Sequence, residues 1–186
     1  GKEPKLLFEW EALRPKDNTV FNVEVSIQKI NFHDKDIVLA NVRDITERKG
    51  VEEALREKEE RLSLALIGGN LGTWDWNIKT GSNIFDERWA TMKGYSPAEI
   101  KPTLDAWKNL IHPDDFSHVM KNLQAHLQGK EDVYEAEYRS LGKNGGCVWV
   151  LDKGKVLEWD EKGNPIRACG THLDITGRKL AEEKLL

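Results

Sequence analysis

Three of the five histidines, His112, His118 and His126, fall close together beside the adjacent aspartates Asp114 and Asp115. Imidazoles and carboxylates in such a group could hold a metal or move a proton. Their spacing points elsewhere. His112 precedes Pro113 as a helix cap, and His118 sits beside an apolar stripe on its wetter side. His126 lies close in helical phase to the apolar Leu123 and Leu127. Adjacent helical residues cannot face one another, so Asp114 and Asp115 do not make the carboxylate pair that glycoside hydrolysis needs. Two carboxylates in a first turn suit the positive end of a helix. The sequence has no Gly-x-Ser-x-Gly, Walker-type loop or kinase signature, and no nucleophile with a visible base, so neither a catalytic nor a metal site is expected. Cys147 and Cys169 lie in strand-like patterns without CxxC or Cys/His spacing and read as reduced packing residues, with a disulfide or a reactive thiol as the alternative. Trp74, Trp76, Trp107 and Trp149 read as core. The alternative is an aromatic-lined pocket for a small apolar or planar ligand, lined also by Tyr95, Val119 and Leu123.

The elements that must carry these residues are those of a soluble, globular chain. Of 186 residues, 39% are hydrophobic and 32% charged, a mixture able to bury a core. With 28 basic and 32 acidic residues interleaved, there is no basic field for nucleic acid. Apolar stretches such as Leu62 to Ile67 fall far short of the ~20 residues that cross a bilayer, and no secretory signal opens the chain. The expected location is cytoplasmic, without membrane contact.

An internal repeat sets the organisation. Asp44-Ile45-Thr46-Glu47-Arg48-Lys49 returns as Asp174-Ile175-Thr176-Gly177-Arg178-Lys179, and upstream Phe8-Glu9-Trp10-Glu11 matches Tyr134-Glu135-Ala136-Glu137. In the first copy, Val20 to Ile27 and Ile37 to Val42 flank turn residues Asn31 to Asp36, which predicts a hairpin. In the second, Tyr134 to Leu141, Cys147 to Trp159 and Ile166 to Leu173 are strands separated by turn-rich Lys143 to Gly146 and Asp160 to Pro165. Each copy therefore ends in a three-stranded antiparallel meander. Only the second copy has a preceding hairpin, with Trp74, Trp76 and Ile78 alternating on one face and Ile84-Phe85 returning. Short helices follow at Asp86 to Met92 and Ser96-Pro97-Ala98-Glu99, then a longer one from His112-Pro113 to about Gln128 whose stripe is Phe116, Val119, Met120, Leu123 and Leu127. Val51 to Leu66 is rich in helix formers and links the copies; with Leu55 and Leu62 seven apart it holds barely two heptads, too few to establish a coiled coil, and dimer contact through this helix is the expectation, a lone solvated helix the alternative. Asp44 or Thr46 can cap it, and Asp44 with Glu47 has capping-box spacing, which Gly177 breaks in the second copy. A charged helical start at Leu180 to Leu186 predicts that the protein continues.

This order of parts resembles the PAS domain. The residues that carry the likeness are Gly72-Thr73-Trp74-Asp75-Trp76, Gly94-Tyr95-Ser96, Trp107 to Asp115, Lys143-Asn144-Gly145 with Trp149, and Asp174-Ile175-Thr176-Gly177-Arg178-Lys179. The resemblance implies an α+β fold: a five-stranded antiparallel sheet with helices on one face, preceded by a partial PAS meander and a linker helix. The organisation is then a truncated PAS at 1–49, a helical linker at 50–66, a whole PAS at 67–176 and a connecting helix from 177 to 186. It implies a sensory role upstream of a transmitter in the same chain, a histidine kinase or else a cyclic-dinucleotide enzyme, with a ligand-free dimerisation or docking module as the rival. Asp44, Thr46, Asp174 and Thr176 are the expected signal-relay residues, where the last strand of each copy runs into a helix. Some haem-binding relatives ligate iron from this region, which makes His126 the candidate ligand. The cysteine-bearing flavin run of light sensors is missing, so no cofactor is expected, although an unknown small molecule could occupy the pocket.

Overall fold

The computed structural model describes residues 5–33 and 35–185, so Asp34 of the expected turn and Leu186 of the expected last helix lie outside the described residues. The chain divides into two compact units, Gly1–Ser63 and Leu64–Leu186.

In the first unit, β1 (Lys5–Leu13), β2 (Val20–Phe32) and β3 (Lys35–Asp44) form an antiparallel meander in the order β1-β2-β3. Alternating apolar residues in β2 dictate the strand, and it runs further than the expected turn allowed. Asn31 pairs with Asp36 in register, and its side-chain amide donates to Asp36 Oδ1 at 3.1 Å. Cross-strand polar contacts thus keep turn-type residues in the ladder. Helix α1 (Thr46–Gly68) follows. It begins well before the expected Val51 because the Asp-Ile-Thr segment already starts it.

In the second unit, β4 (Leu71–Asn77), β5 (Asn83–Phe85), β6 (Tyr134–Leu141), β7 (Cys147–Trp159) and β8 (Pro165–Asp174) form a five-stranded sheet. Its spatial order is β5-β4-β8-β7-β6, antiparallel throughout. Between β5 and β6 lie α2 (Glu87–Thr91), a single 3₁₀ turn (Pro97–Glu99), α3 (Leu104–Lys108) and α4 (Pro113–Leu127). Their starts are written in the sequence. Asp86 accepts the Trp89 amide at 2.7 Å, Ser96 and Glu99 close a capping box, and Thr103 accepts the Ala106 amide. His112 caps α4, its Nδ1 accepting the Asp114 amide at 3.3 Å. Asp115 goes beyond capping: its carboxylate takes the Arg139 backbone N–H, Nε and Nη2 at 2.7 to 2.9 Å, tying α4 to β6. The core between helices and sheet contains Trp89, Val119, Tyr138 and Val150, all essentially inaccessible. Helix α5 (Thr176–Glu183) leaves β8.

Candidate functional site

The inward face of the second sheet is not uniformly apolar. Asp152 on β7 and His172 on β8 are direct cross-strand partners, 1% and 0% exposed. Asp152 Oδ2 lies 2.9 Å from His172 Nε2, while Oδ1 accepts the Trp74 indole N–H at 2.8 Å. Tyr138 donates its hydroxyl to Asp152 at 3.3 Å and accepts the Trp107 indole N–H at 2.7 Å. Because Nε2 must donate to the carboxylate, Nδ1 is the acceptor, and the Lys93 ammonium nitrogen stands 3.4 Å from it. Lys93 also donates to the Trp89 carbonyl at 2.8 Å and sits 3.5 Å above the Trp89 ring.

Burial governs the charge of this group. It lowers the Lys93 pKa to about 7, against the opposing pull of Asp152. It also lowers the His172 pKa, again with Asp152 opposing, which keeps the imidazole neutral as its hydrogen bonds require. Tyr138 is pushed well above the ordinary phenol value, first by burial and then by Asp152.

Two glycines make room for this network. A Cβ at Gly154 or Gly170 would collide with the Trp74 ring, so only glycine at these paired positions lets the indole lie across β7 and β8 and reach Asp152. Beside the network is a cavity of about 20 Å³. The sheet contributes Trp74, Trp76, Asp152 and His172, the edge strand Asn83 and Phe85, and β6 Tyr134; Leu104, Trp107 and Leu123 close it from the helices.

At the far end of the same sheet, β8 passes into α5 through a compact joint. Asp174 Oδ1 accepts the Thr176 amide at 2.9 Å, Thr176 Oγ1 accepts the Trp149 amide at 3.0 Å, and the Ile175 amide donates to the Trp149 carbonyl at 2.8 Å. The first unit repeats this atom for atom. Asp44 Oδ1 accepts the Thr46 amide at 2.9 Å, Thr46 Oγ1 the Asn22 amide at 3.0 Å, and the Ile45 amide meets the Asn22 carbonyl at 2.8 Å. Ile45 and Ile175 are both buried. Glu9 receives Arg48 and Lys49 as Glu137 receives Arg178 and Lys179. These ion pairs equate Glu9 with Glu137, two residues away from the alignment that the sequence suggested. The expected Asp44–Glu47 capping box is absent among the described hydrogen bonds: each aspartate holds the amide two residues on, and Ile175, not Asp174, occupies the α5 cap position.

A family model described as "PAS fold" matches residues 84–172. A sensory box histidine kinase/response regulator from Burkholderia thailandensis is 35% identical, with 67% of this chain and 92% of that structure aligned at a TM-score of 0.60. The chain belongs to the PAS family. Among curated proteins it is similar to a probable diguanylate cyclase, DgcE, of Escherichia coli, at 29% identity over 79% of this chain. It is also similar to a methyl sulfide methyltransferase-associated sensor of Methanosarcina acetivorans, at 28% over 92%. It spans only 13% and 18% of those two proteins. The second unit is thus a PAS sensor module of a type carried by signalling proteins, with the α+β fold and five-stranded sheet of that family. Among the described residues no helix is long and apolar enough to cross a membrane.

The PAS pocket gathers part of the expected lining. Trp74, Trp76, Trp107 and Leu123 face the cavity. Val119 is buried in the core but does not line it, and Tyr95 packs at the edge of the core. Trp149 lies outside the pocket, neighbouring the inward-facing Val150 on a strand whose side chains alternate, with the Lys179 ammonium 5.1 Å from its ring. His126 is a structural histidine, not a haem ligand. Its Nε2 accepts the Val156 amide at 3.0 Å and its Nδ1 donates to the Glu131 carbonyl at 2.7 Å, which leaves neither nitrogen for iron. His118 Nε2 meets the Glu137 carbonyl. Cys147 is exposed rather than packed, both cysteines are free, and burial pushes the Cys169 thiol pKa up. Asp152, His172, Lys93, Tyr138, Tyr134 and Asn83 were not among the residues expected to form the site. The repeat held a signal for two of them, since Val25 and Val42 stand where Asp152 and His172 do.

Proposed function

We propose that this chain is a tandem PAS segment, with a PAS-type three-stranded meander at 1–49, a linker through 50–66 and a whole PAS domain at 67–176. In this reading it relays a signal through its two Asp-Ile-Thr exits and their connecting helices to a histidine kinase transmitter in the same chain. It performs no catalysis of its own and works in the cytoplasm, as a homodimer joined along α1, where Val51, Leu55 and Leu62 are exposed. The observation that carries the reading is the duplicated joint. Both exits use the same aspartate, threonine and ion-paired glutamate, and in both the last strand enters a helix with no intervening loop. A change in sheet geometry at such a joint moves the helix that follows, and a helix with two arrangements in a dimer is a switch.

The likeness to a diguanylate cyclase supports a second reading, in which the same relay serves a cyclic-dinucleotide enzyme. Both are tested by changing Asp174 and Thr176 together to alanine in the full-length protein. Transmitter output is expected to lose its response to the stimulus while the second unit stays folded by circular dichroism. Regulation that survives the double change would exclude a relay through this exit.

A further inference from the structure

Among the described residues, three buried polar atoms around the cavity have no hydrogen-bond partner: Trp76 Nε1, Asn83 Oδ1 and the Tyr134 hydroxyl. All three residues line the same space, and each is more than nine-tenths buried. Buried polar groups are nearly always paired, so three orphans around one cavity call for an occupant. Trp76 and Asn83 are direct cross-strand partners, which sets an indole donor beside an amide acceptor at one end. Tyr134 offers a hydroxyl from β6, close enough to Asp152 for the carboxylate to add to the upward push of burial on its pKa, but outside good hydrogen-bonding geometry to any partner among the described residues.

Charge complementarity narrows the occupant. Asp152 and His172 are the ionisable pair in this wall, and they are closed on each other, with Trp74 and Tyr138 on the remaining carboxylate positions. An ion entering the cavity would lose its hydration without meeting a free countercharge. The volume of about 20 Å³ limits the guest to a few non-hydrogen atoms, far below a flavin or a porphyrin. At the corresponding positions of the first sheet stand Val25, Val42 and Leu6, of which Val42 and Leu6 are exposed.

Resting on the sensory reading above, we propose that the cavity binds a small uncharged molecule carrying both a hydrogen-bond donor and an acceptor, of the primary-amide type. Its acceptor meets the Trp76 N–H and the Tyr134 hydroxyl, its donor meets Asn83 Oδ1, and aromatic walls flank its flat body.

Acetamide is the probe, titrated into the whole ¹⁵N-labelled chain while the Trp76 indole N–H resonance, assigned through Trp76→Phe, is followed. A saturable shift is expected, weakened at least about tenfold with acetone, which lacks the donor, and to the same degree in Asn83→Leu. Should Asn83→Leu fail to fold, saturation transfer to the acetamide methyl is compared between the parent chain and Trp76→Phe, with loss of transfer expected in the variant. No shift with acetamide, equal response to acetone, or binding indifferent to both substitutions overturns the proposal and leaves the cavity to water. Binding is read here without any transmitter, so failure of this test is separate from failure of the relay.

Discussion

In the first unit Val25 faces Val42 across β2 and β3; in the second, at the corresponding rungs, Asp152 faces His172. The register is fixed in both by the exit, since Val23 pairs with Asp44 as Val150 pairs with Asp174. Two rungs on, Ile27 faces Ala40 where Gly154 faces Gly170. The joints are alike to a tenth of an ångström in three hydrogen bonds, while the faces at these rungs differ in volume, polarity, charge and burial, Val42 being exposed where His172 is fully buried. What is held constant is the connection to the next helix. What varies is the surface that a pocket would use, and this division suits a relay whose output geometry is shared and whose input is particular to one module.

The sharpest way to break the comparison is to give the buried face of the second sheet the residues that the first carries at the same rungs. Asp152→Val alone strands the His172 Nε2–H, the Trp74 indole and the Tyr138 hydroxyl, and is expected to destabilise the second unit by about 3 kcal/mol or more. Adding His172→Val should recover part of that loss, because apolar replacement of a buried polar pair is often tolerated. Urea unfolding followed by tryptophan fluorescence measures both. A single variant as stable as the parent would mean that the pair is ornament to the fold and that the contrast with Val25 and Val42 carries no energy.

How far this face could be read from the sequence depends on which residue is asked about. The strands β6 to β8 were legible almost to the residue, because alternation and the turn-forming runs Lys143 to Gly146 and Asp160 to Pro165 bracket them. Helix α3 was not, since five residues hold a helix only through tertiary packing, here of Trp107 against Tyr138. Asp152 precedes Lys153, so a carboxylate aimed inward reads as part of a charged, wet stretch. The alignment of β1 with β6 slipped by two because a shift of two leaves a period-two pattern unchanged, and only the lysine and arginine partners of Glu9 and Glu137 resolve it. His126 was correctly phased toward the interior, but no sequence shows that the Glu131 carbonyl and the Val156 amide occupy both its nitrogens.

Lys93 sharpens the comparison by pH. Its folded pKa is about 7 against an ordinary 10.5, so between those values the unfolded chain binds more protons than the folded one. Stability of the second unit therefore rises with pH across that window, by up to about 1.4 kcal/mol per unit. The lowered His172 pKa acts with the same sign below its ordinary 6.5, whereas the raised Tyr134 and Tyr138 values oppose it only above pH 10. Urea midpoints between pH 7 and 9 should climb for the parent chain and level off for Lys93→Met. A flat parent profile would mean that the ammonium keeps its charge despite its burial against Trp89 and His172.

The smallest effect tests the part that the two units share. Thr46→Ala and Thr176→Ala each remove the hydroxyl that accepts a strand amide, Asn22 in one case and Trp149 in the other. The geometry is the same, so any difference must come from the surroundings. Thr46 is exposed and water can replace its hydroxyl, whereas Thr176 is half-buried, next to the strand where Lys179 covers Trp149. The loss is expected near 1 kcal/mol at Thr176 and about half that at Thr46. Amide hydrogen exchange at Trp149 and Asn22 reads each directly, with the faster exchange following the larger loss. Equal acceleration at the two amides would show that the joint is self-sufficient and indifferent to its cover. A response confined to Trp149 would make the side chains over the second exit part of the joint, and so part of what the proposed relay has to move.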